Sequence, residues 1–437
     1  MKHLTKFETL EQAQGLVLDD TNTPHISLIE ELRNTTMGGL TFTNYIPCDY
    51  SKKYFTFIAR QNCTMNFDLL FEDEDPENNV SCGTISYSLN NGETWSEEYG
   101  EIELNLNAGE KVLLKGHMNV YDGGYDQVTD IEGGWIVSTG YFDVEGNIMS
   151  LFYGDDFEKQ STITEKTTLA AFFKGNTYLV NAKNLILPSE ISCEYGLSSM
   201  FEDCTSLTTA PAILPATTLS KWCYVRMFFN CTGLTTAPEL PATTLASNCY
   251  SSMFNGCTAL TTAPELPATT LTHAYNCYEH MFSDCTSLTT APELPATTLT
   301  DSCYEYMFSG CTSLTTAPEL PAYALPDACY YGMFTNCKSL TIAPELLESV
   351  IGYQSYSYMF DGCTSLNYIK CLAEYGMGDN TEHWVRNVAA SGTFVGDYST
   401  EWYIGDNGLP SGWTYIPEGE PDSGDEGSSS SSSSSSL

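Results

Sequence analysis

Basic residues are scarce: 17 Lys and Arg stand against 56 Asp and Glu, a formal charge of −39 over 437 residues. Beyond residue 200 the basic residues are only Lys221, Arg226, Lys338, Lys370 and Arg386. Nucleic acid and anionic membrane both require a Lys/Arg footprint that releases counterions, so neither is an expected partner. No run of 18 apolar residues occurs, and the opening MKHLTKFETLEQAQGLVLDD has no apolar core of signal-peptide length. Neither a membrane span nor a secretory signal is therefore readable. Catalytic signatures are missing too: there is no HExxH, no GxSxG and no Gly-rich phosphate loop. The six histidines are scattered, and the reading is of a protein that is not an enzyme and carries no cofactor.

Cysteine is the exception to this scarcity, with 17 copies. Their positions argue against a crosslinked scaffold, because twelve fall at two phases of a repeat. One phase is Cys204, Cys231, Cys257, Cys285, Cys311, Cys337 and Cys363; the other is Cys223, Cys249, Cys277, Cys303 and Cys329. The pair Met-Phe recurs with them at Met200, Met227, Met253, Met281, Met307, Met333 and Met359, with spacings of 27, 26, 28, 26, 26 and 26. Such a period indicates a repeat array. A degenerate eighth copy precedes it at Phe172-Phe173, followed by Leu179.

Within the unit CYEYMFSGCTSLTTAPELPAYALPDA, the positions of Cys303, Met307 and Cys311 at i, i+4 and i+8 predict the apolar stripe of a short helical segment. The Thr-rich SLTTA that follows, closed by Pro318 and Pro321, predicts a brief strand. No unit can bury its own stripe, so units must stack with parallel strands about 4.8 Å apart. Cysteines eight residues apart on a helix lie about 12 Å apart, too far for a disulfide. Same-phase cysteines of neighbouring units are close enough to bond, but a ladder of buried thiols is the expected state. The tyrosines three residues before each Met, from Tyr224 to Tyr356, stay constant and are expected to form an interior ladder.

The recurrent Met-Phe, then Gly, Asn or Asp before Cys, then Thr-Ser-Leu and a proline-closed strand, resembles the BspA-like class of bacterial leucine-rich repeats. That class occurs in surface proteins and phages of gut Bacteroidetes. The resemblance covers roughly residues 172–371 and lacks the Asn at the strand end found in most leucine-rich repeats. It implies partner recognition, not catalysis.

Residues 41–150 alternate Tyr, Phe, Val, Ile and Thr between turn signals, which predicts an antiparallel sandwich or jelly-roll domain. Within it, Ser88–Trp95 reads as a hairpin turning at Asn-Gly and resembles the Asp-box of sialidase-type propellers, with Asn90 in place of Asp. Asp122, Asp126 and Asp130 read as a solvated acidic loop, lacking the graded spacing of a calcium site. The expected organisation is an adaptor over 1–40 with a helix over Phe7–Leu16, a β-sandwich over 41–150, repeats over 151–371, a cap over 372–417 containing Trp402 and Trp413, and an acidic, serine-rich disordered tail over 418–437. The fold class is thus multidomain: an N-terminal all-β sandwich followed by a leucine-rich-repeat-like α/β solenoid with short parallel strands.

The two residues before each Met vary while their neighbours do not: Val225-Arg226, Ser251-Ser252, Glu279-His280, Glu305-Tyr306, Tyr331-Gly332 and Ser357-Tyr358. They are expected to face solvent, and either drift neutrally there or form a recognition strip. The candidate binding residues are Arg226, Glu279, His280, Glu305, Tyr306, Tyr331 and Tyr358. The partner expected is a host or cell-surface protein or glycan, with homo-oligomerisation or virion attachment through the N-terminus, whose HLTKFETLEQAQ and TPHISLIEE are similar to the beginnings of tail- and fibre-associated proteins in phages of Bacteroidetes. The expected location is a virion or the extracellular surface. The competing readings are a structural spacer or decoration protein and, third, a glycan-active enzyme.

Overall fold

The computed structural model describes residues 36–37, 40–41, 49–67, 70–71, 80–81, 83–118, 134–164, 169–347, 351–373 and 379–419. The expected helix over Phe7–Leu16, the acidic loop at Asp122, Asp126 and Asp130, and the serine-rich tail beyond Gly419 lie outside them, while Glu418, expected to open that disordered tail, ends a strand instead. Among the described residues the protein is mostly β with very little helix.

The longer N-terminal strands are β1 (Phe55–Ala59), β2 (Cys63–Phe67), β3 (Gly83–Ser88), β4 (Ser96–Glu98), β5 (Ile102–Leu106), β6 (Lys111–Met118), β7 (Ile136–Ser138), β8 (Phe142–Asn147) and β9 (Leu179–Ile186). Their side chains alternate between buried and less buried along β2 and β6, as a half-covered sheet requires. Six strands form one sheet in the order β9-β8-β1-β6-β3-β4, and three form another in the order β7-β2-β5. Neighbours are antiparallel except β8 and β9, which run parallel. The Asn-Gly hairpin lies between β3 and β4. Ser88 Oγ accepts the Gly92 N–H at 2.9 Å, and the Asn90 side-chain oxygen accepts the Thr94 N–H at 3.0 Å.

The junction with the repeats is continuous. On its other side β9 bonds to the first clear unit: the Ala182 N–H donates to the Thr209 carbonyl at 2.9 Å, and Asn181 bridges Thr209 in parallel. Phe172, in the turn preceding β9, meets Phe55 of the large sheet and Phe67 of the small one, both with ring centroids 6.1 Å away. One buried core therefore extends from the N-terminal sheets through the repeats to Trp413.

Each unit contains no helix, which corrects the expected helical segment and the α part of the α/β reading. Around Met307, the N–H groups of Glu305, Met307, Ser309 and Cys311 donate to carbonyls three residues back, at 3.3, 3.2, 3.0 and 3.1 Å. The intervening N–H groups, of Tyr304, Tyr306, Phe308 and Gly310, donate to Cys329, Tyr331, Met333 and Thr335 of the next unit, at 3.0, 2.8, 2.9 and 2.8 Å. An α-helix would spend all of these donors within its own unit. Here consecutive tight turns use half of them internally and the other half to bond units together.

A left-handed residue recurs every fourth position: Ser302 (φ 53°), Tyr306 (φ 50°) and Gly310 (φ 76°). A positive φ at the third residue is what a type II turn demands. The last of the three is Asp203, Asn230, Gly256, Asp284, Gly310, Asn336 and Gly362 in successive units, the residue types that tolerate this region best. That conformation accounts for the Gly, Asn or Asp before each Cys. Burial follows a period of four, with Cys303-Tyr304 in, Glu305-Tyr306 half-buried, Met307-Phe308 in, Ser309-Gly310 half-buried and Cys311 in. Over nine residues this pattern is nearly indistinguishable from a 3.6-residue helical stripe, hence the incorrect expectation.

The SLTTA strands shrink to single parallel bridges such as Thr209 with Thr236 and Thr290 with Thr316. The interior is made of columns. Tyr224, Tyr250, Tyr278, Tyr304, Tyr330 and Tyr356 stack nearly parallel with centroids 5.5–6.3 Å apart. A second column runs from Phe173 to Phe360 at 5.2–5.8 Å. Both end on Trp384, which is fully buried and donates its indole N–H to the Gly408 carbonyl at 3.0 Å.

The described cysteines are all buried, and none forms a disulfide. In one phase every thiol donates to the carbonyl of the phenylalanine one unit earlier, that of Met-Phe or, for the first, of Phe172-Phe173, from Cys204 to Phe173 through Cys363 to Phe334, at 3.0–3.1 Å. Past the repeats, β10 (Tyr368–Cys371), β11 (Thr393–Asp397) and β12 (Thr414–Glu418) form a parallel sheet, with Trp402 stacked on Trp384 at 6.0 Å.

Candidate functional site

The variable pair of each unit occupies the half-buried, outward side of the turns, so stacking brings the pairs of successive units side by side. The Ser252 N–H donates to the Glu279 carbonyl (2.7 Å), that of His280 to Glu305 (2.8 Å), Tyr306 to Tyr331 (2.8 Å), Gly332 to Ser357 (2.8 Å) and Tyr358 to Glu382 (2.8 Å). The second residue of each pair has a positive φ, including bulky Arg226 (54°), His280 (52°), Tyr306 (50°) and Tyr358 (58°). Ordinary side chains there cost of order 1–3 kcal/mol each, which the bonded neighbours on both sides must hold.

The expectation of solvent-facing side chains is corrected. Val225, Ser251, Gly332 and Ser357 are buried, and Glu279, His280, Glu305, Tyr306, Tyr331 and Tyr358 are half-buried. Units this closely spaced cover each other's outward side chains. The rings form a continuous row: His280 stacks on Tyr306 at 4.9 Å, Tyr306 meets Tyr331 edge-on at 5.3 Å, Tyr331 lies tilted to Tyr358 at 5.4 Å, and Tyr358 meets His383 edge-on at 5.5 Å. Tyr306 and Tyr331 also share a phenolic hydrogen bond.

Of the sequence-predicted residues, six thus lie in one stretch, and Arg226 lies apart toward the N-terminal end. There it makes two hydrogen bonds to Glu202, at 3.2 and 2.8 Å, with its guanidinium 3.9 Å from the centre of the Phe229 ring. Arg386 is the counterpart at the other end, bonded to Asp361 and 5.6 Å from the Tyr358 ring centre.

Glu382, His383 and Arg386 escaped sequence reasoning because their turn lacks the Cys-Tyr and Met-Phe marks. The structure adds this turn in register all the same: Phe360 N–H donates to the Trp384 carbonyl as Phe334 does to Met359. His383 and Asn387 carry the positive φ values. The available signal was spacing, since Trp384 lies 25 residues after Met359.

Burial dominates the electrostatics of the strip. It raises the carboxyl pKa of Glu279 and of Glu305, and for Glu305 the neighbouring Glu279 charge adds to the rise. Burial also lowers the pKa of His280, favouring the neutral ring. The arrangement places aromatic edges, phenols and carboxylates in a row. Among the described residues no group of three or more His, Cys, Asp or Glu is placed to hold a metal ion.

No protein-family model matches the chain, and no curated protein matches it. Among solved structures, a leucine-rich repeat protein from Bacteroides ovatus is similar to it at 18% identity, over 57% of this chain and 77% of that one, with a TM-score of 0.28.

Proposed function

We propose that the chain is a non-enzymatic binding protein, in which a leucine-rich-repeat-like solenoid behind an N-terminal β-sandwich presents the strip from Glu279 to His383 to a partner on a host or cell surface. The observation that carries this reading is the contrast between inside and outside. Interior Cys, Tyr, Met and Phe repeat unit after unit, whereas the outward pair changes from Ser-Ser to Glu-Tyr to Tyr-Gly and converges on an unbroken row of rings. A bare spacer needs only the interior columns. Clustered tyrosines supply large contact area at low entropy cost, as at protein interfaces. The setting proposed is a phage tail or virion, or a bacterial surface.

The test is binding of the purified protein to Bacteroides cells, compared with the variant Tyr306→Ala/Tyr331→Ala/Tyr358→Ala. Binding by the parent and at least tenfold weaker binding by the folded variant is expected. Equal binding by both would remove the strip as the binding surface, and none by either would favour the spacer reading. Release of sugar from capsule preparations would favour a glycan-active enzyme.

A further inference from the structure

We propose that Glu279 and Glu305, with the rings of Tyr306 and Tyr331, form a docking site for an arginine side chain of a partner protein, a reading that rests on the strip being the binding surface. The protein itself supplies the pattern. Toward each end of the variable strip a guanidinium is held between a carboxylate of one unit and an aromatic ring: Arg226 by Glu202 with Phe229, and Arg386 by Asp361 with Tyr358. Between them, Glu279 and Glu305 hold equivalent places in adjacent units, about 5 Å apart along the stack. No Lys or Arg reaches either in the ion pairs of the described residues.

The polar contacts of these two carboxylates within the chain are weak counterweights. Ser251 Oγ donates to Glu279 at 3.2 Å, Asn276 also bonds Glu279, and Ser302 bonds Glu305. Burial disfavours the charged form of His280, the base nearest to them on the strip, while Glu305 pulls the other way. Two half-buried like charges side by side raise the free energy of the unbound strip, and a cation placed between them removes that penalty. The surplus of 39 negative charges draws such a cation in from a distance.

Arginine fits better than lysine. Its planar fork can bond two carboxylates at once while its face lies against a ring, whereas an ammonium is a strongly hydrated point charge. The tyrosines beside the carboxylates supply that ring, as Phe229 does for Arg226 and Tyr358 for Arg386, each of which is held by a single carboxylate.

The probe is acetyl-Gly-Arg-Gly-Arg-Gly-amide titrated calorimetrically into the full chain at low salt, alongside its lysine and citrulline analogues. The arginine peptide is expected to bind, the lysine peptide at least fivefold more weakly, and the neutral citrulline peptide not measurably. Glu279→Gln/Glu305→Gln should weaken the arginine peptide at least tenfold. Glu265→Gln/Glu293→Gln, which removes the same charge from exposed positions elsewhere in the units, should change it less than twofold. Equal losses in the two double variants would reduce the effect to the general negative charge and overturn the site, as would citrulline binding as well as arginine or no arginine binding at all. If cell binding survives Glu279→Gln/Glu305→Gln but is lost in the triple tyrosine variant, the arginine site falls while the strip stands. If neither variant weakens cell binding, both fall.

Discussion

The thiol of Cys311 donates to the carbonyl of Phe282, one unit earlier, at 3.1 Å, while the same carbonyl accepts the Cys285 N–H at 3.1 Å. One oxygen thus joins the turn that owns it to the turn stacked upon it. A cysteine serves here because it is small and apolar enough for a fully buried site, and its S–H is a donor that alanine lacks.

Burial of the thiols, in the other phase as well, makes the fold sensitive to alkali. Burial pushes the thiols of Cys249 and Cys303 up to about 12. In the unfolded chain a thiol titrates near 8.5, so above that pH the unfolded state loses protons that the folded state keeps. The folded pKa is the higher one, so the stabilisation is complete below about pH 8.5 and is lost as pH rises toward 12. The loss is about 1.4 kcal/mol per pH unit for each such group. Urea midpoints should fall steadily from pH 8.5 to 10.5, and a flat profile would contradict the thiol ladder. At neutral pH a thiol reagent should label none of the described cysteines until the protein is denatured.

The left-handed positions can be tested at Gly310, where φ is 76° and an added Cβ would run into the Asp284 carboxylate. Gly310→Ala should destabilise by about 1–3 kcal/mol through the turn geometry and that collision. Gly310→Asn, of the type found at Asn336, should retain more stability than the alanine variant despite its larger side chain. Thermal melts giving the reverse order would remove the conformational explanation.

Tyr304 and Tyr306 separate the interior from the strip. Tyr304, 2% exposed, should cost about 3 kcal/mol or more as alanine. Tyr306→Ala, which loses a half-covered ring and its stack on His280 but leaves the interior columns intact, should cost about 1 kcal/mol or less. Partner binding should follow the opposite order. Equal melting temperatures would mean that inside and outside are misassigned.

Trp384 closes both aromatic columns, so Trp384→Ala should cost about 3–5 kcal/mol and expose the last turns first. Hydrogen exchange should show protection lost around Met359 and Phe360 while the turns near Met227 stay protected. Uniform loss throughout would indicate a single cooperative unit, unlike the nearest-neighbour behaviour expected of stacked repeats.

The sequence made some features legible and hid others for physical reasons. Met-Phe and Cys marks exposed the period because each interior position meets the same surroundings in every unit. Tyr306 and Tyr331 could be assigned to one strip because variation next to fixed positions marks the outward side. The local backbone was hidden, since Cys303, Met307 and Cys311 fit a four-residue turn period as well as a helix. The covering of Glu305 by its neighbours was hidden too, because exposure depends on how closely units approach. Nor did any residue in Leu179–Ile186 announce that its strand would also complete the N-terminal sheet. A strand with bonding partners on both edges looks, in sequence, like any other.

The dual pairing of Leu179–Ile186 sets the reach of the molecule. Every later turn offers the same donors and acceptors that it receives, so the gene can gain or lose 26 codons without changing what either neighbour meets. The distance from the N-terminal sheets to the Trp384 lid then changes in increments of about 5 Å, one strand spacing at a time. Descendants of this protein could therefore differ in length like a ruler cut at its marks, with the outward pair of each added segment free to diverge.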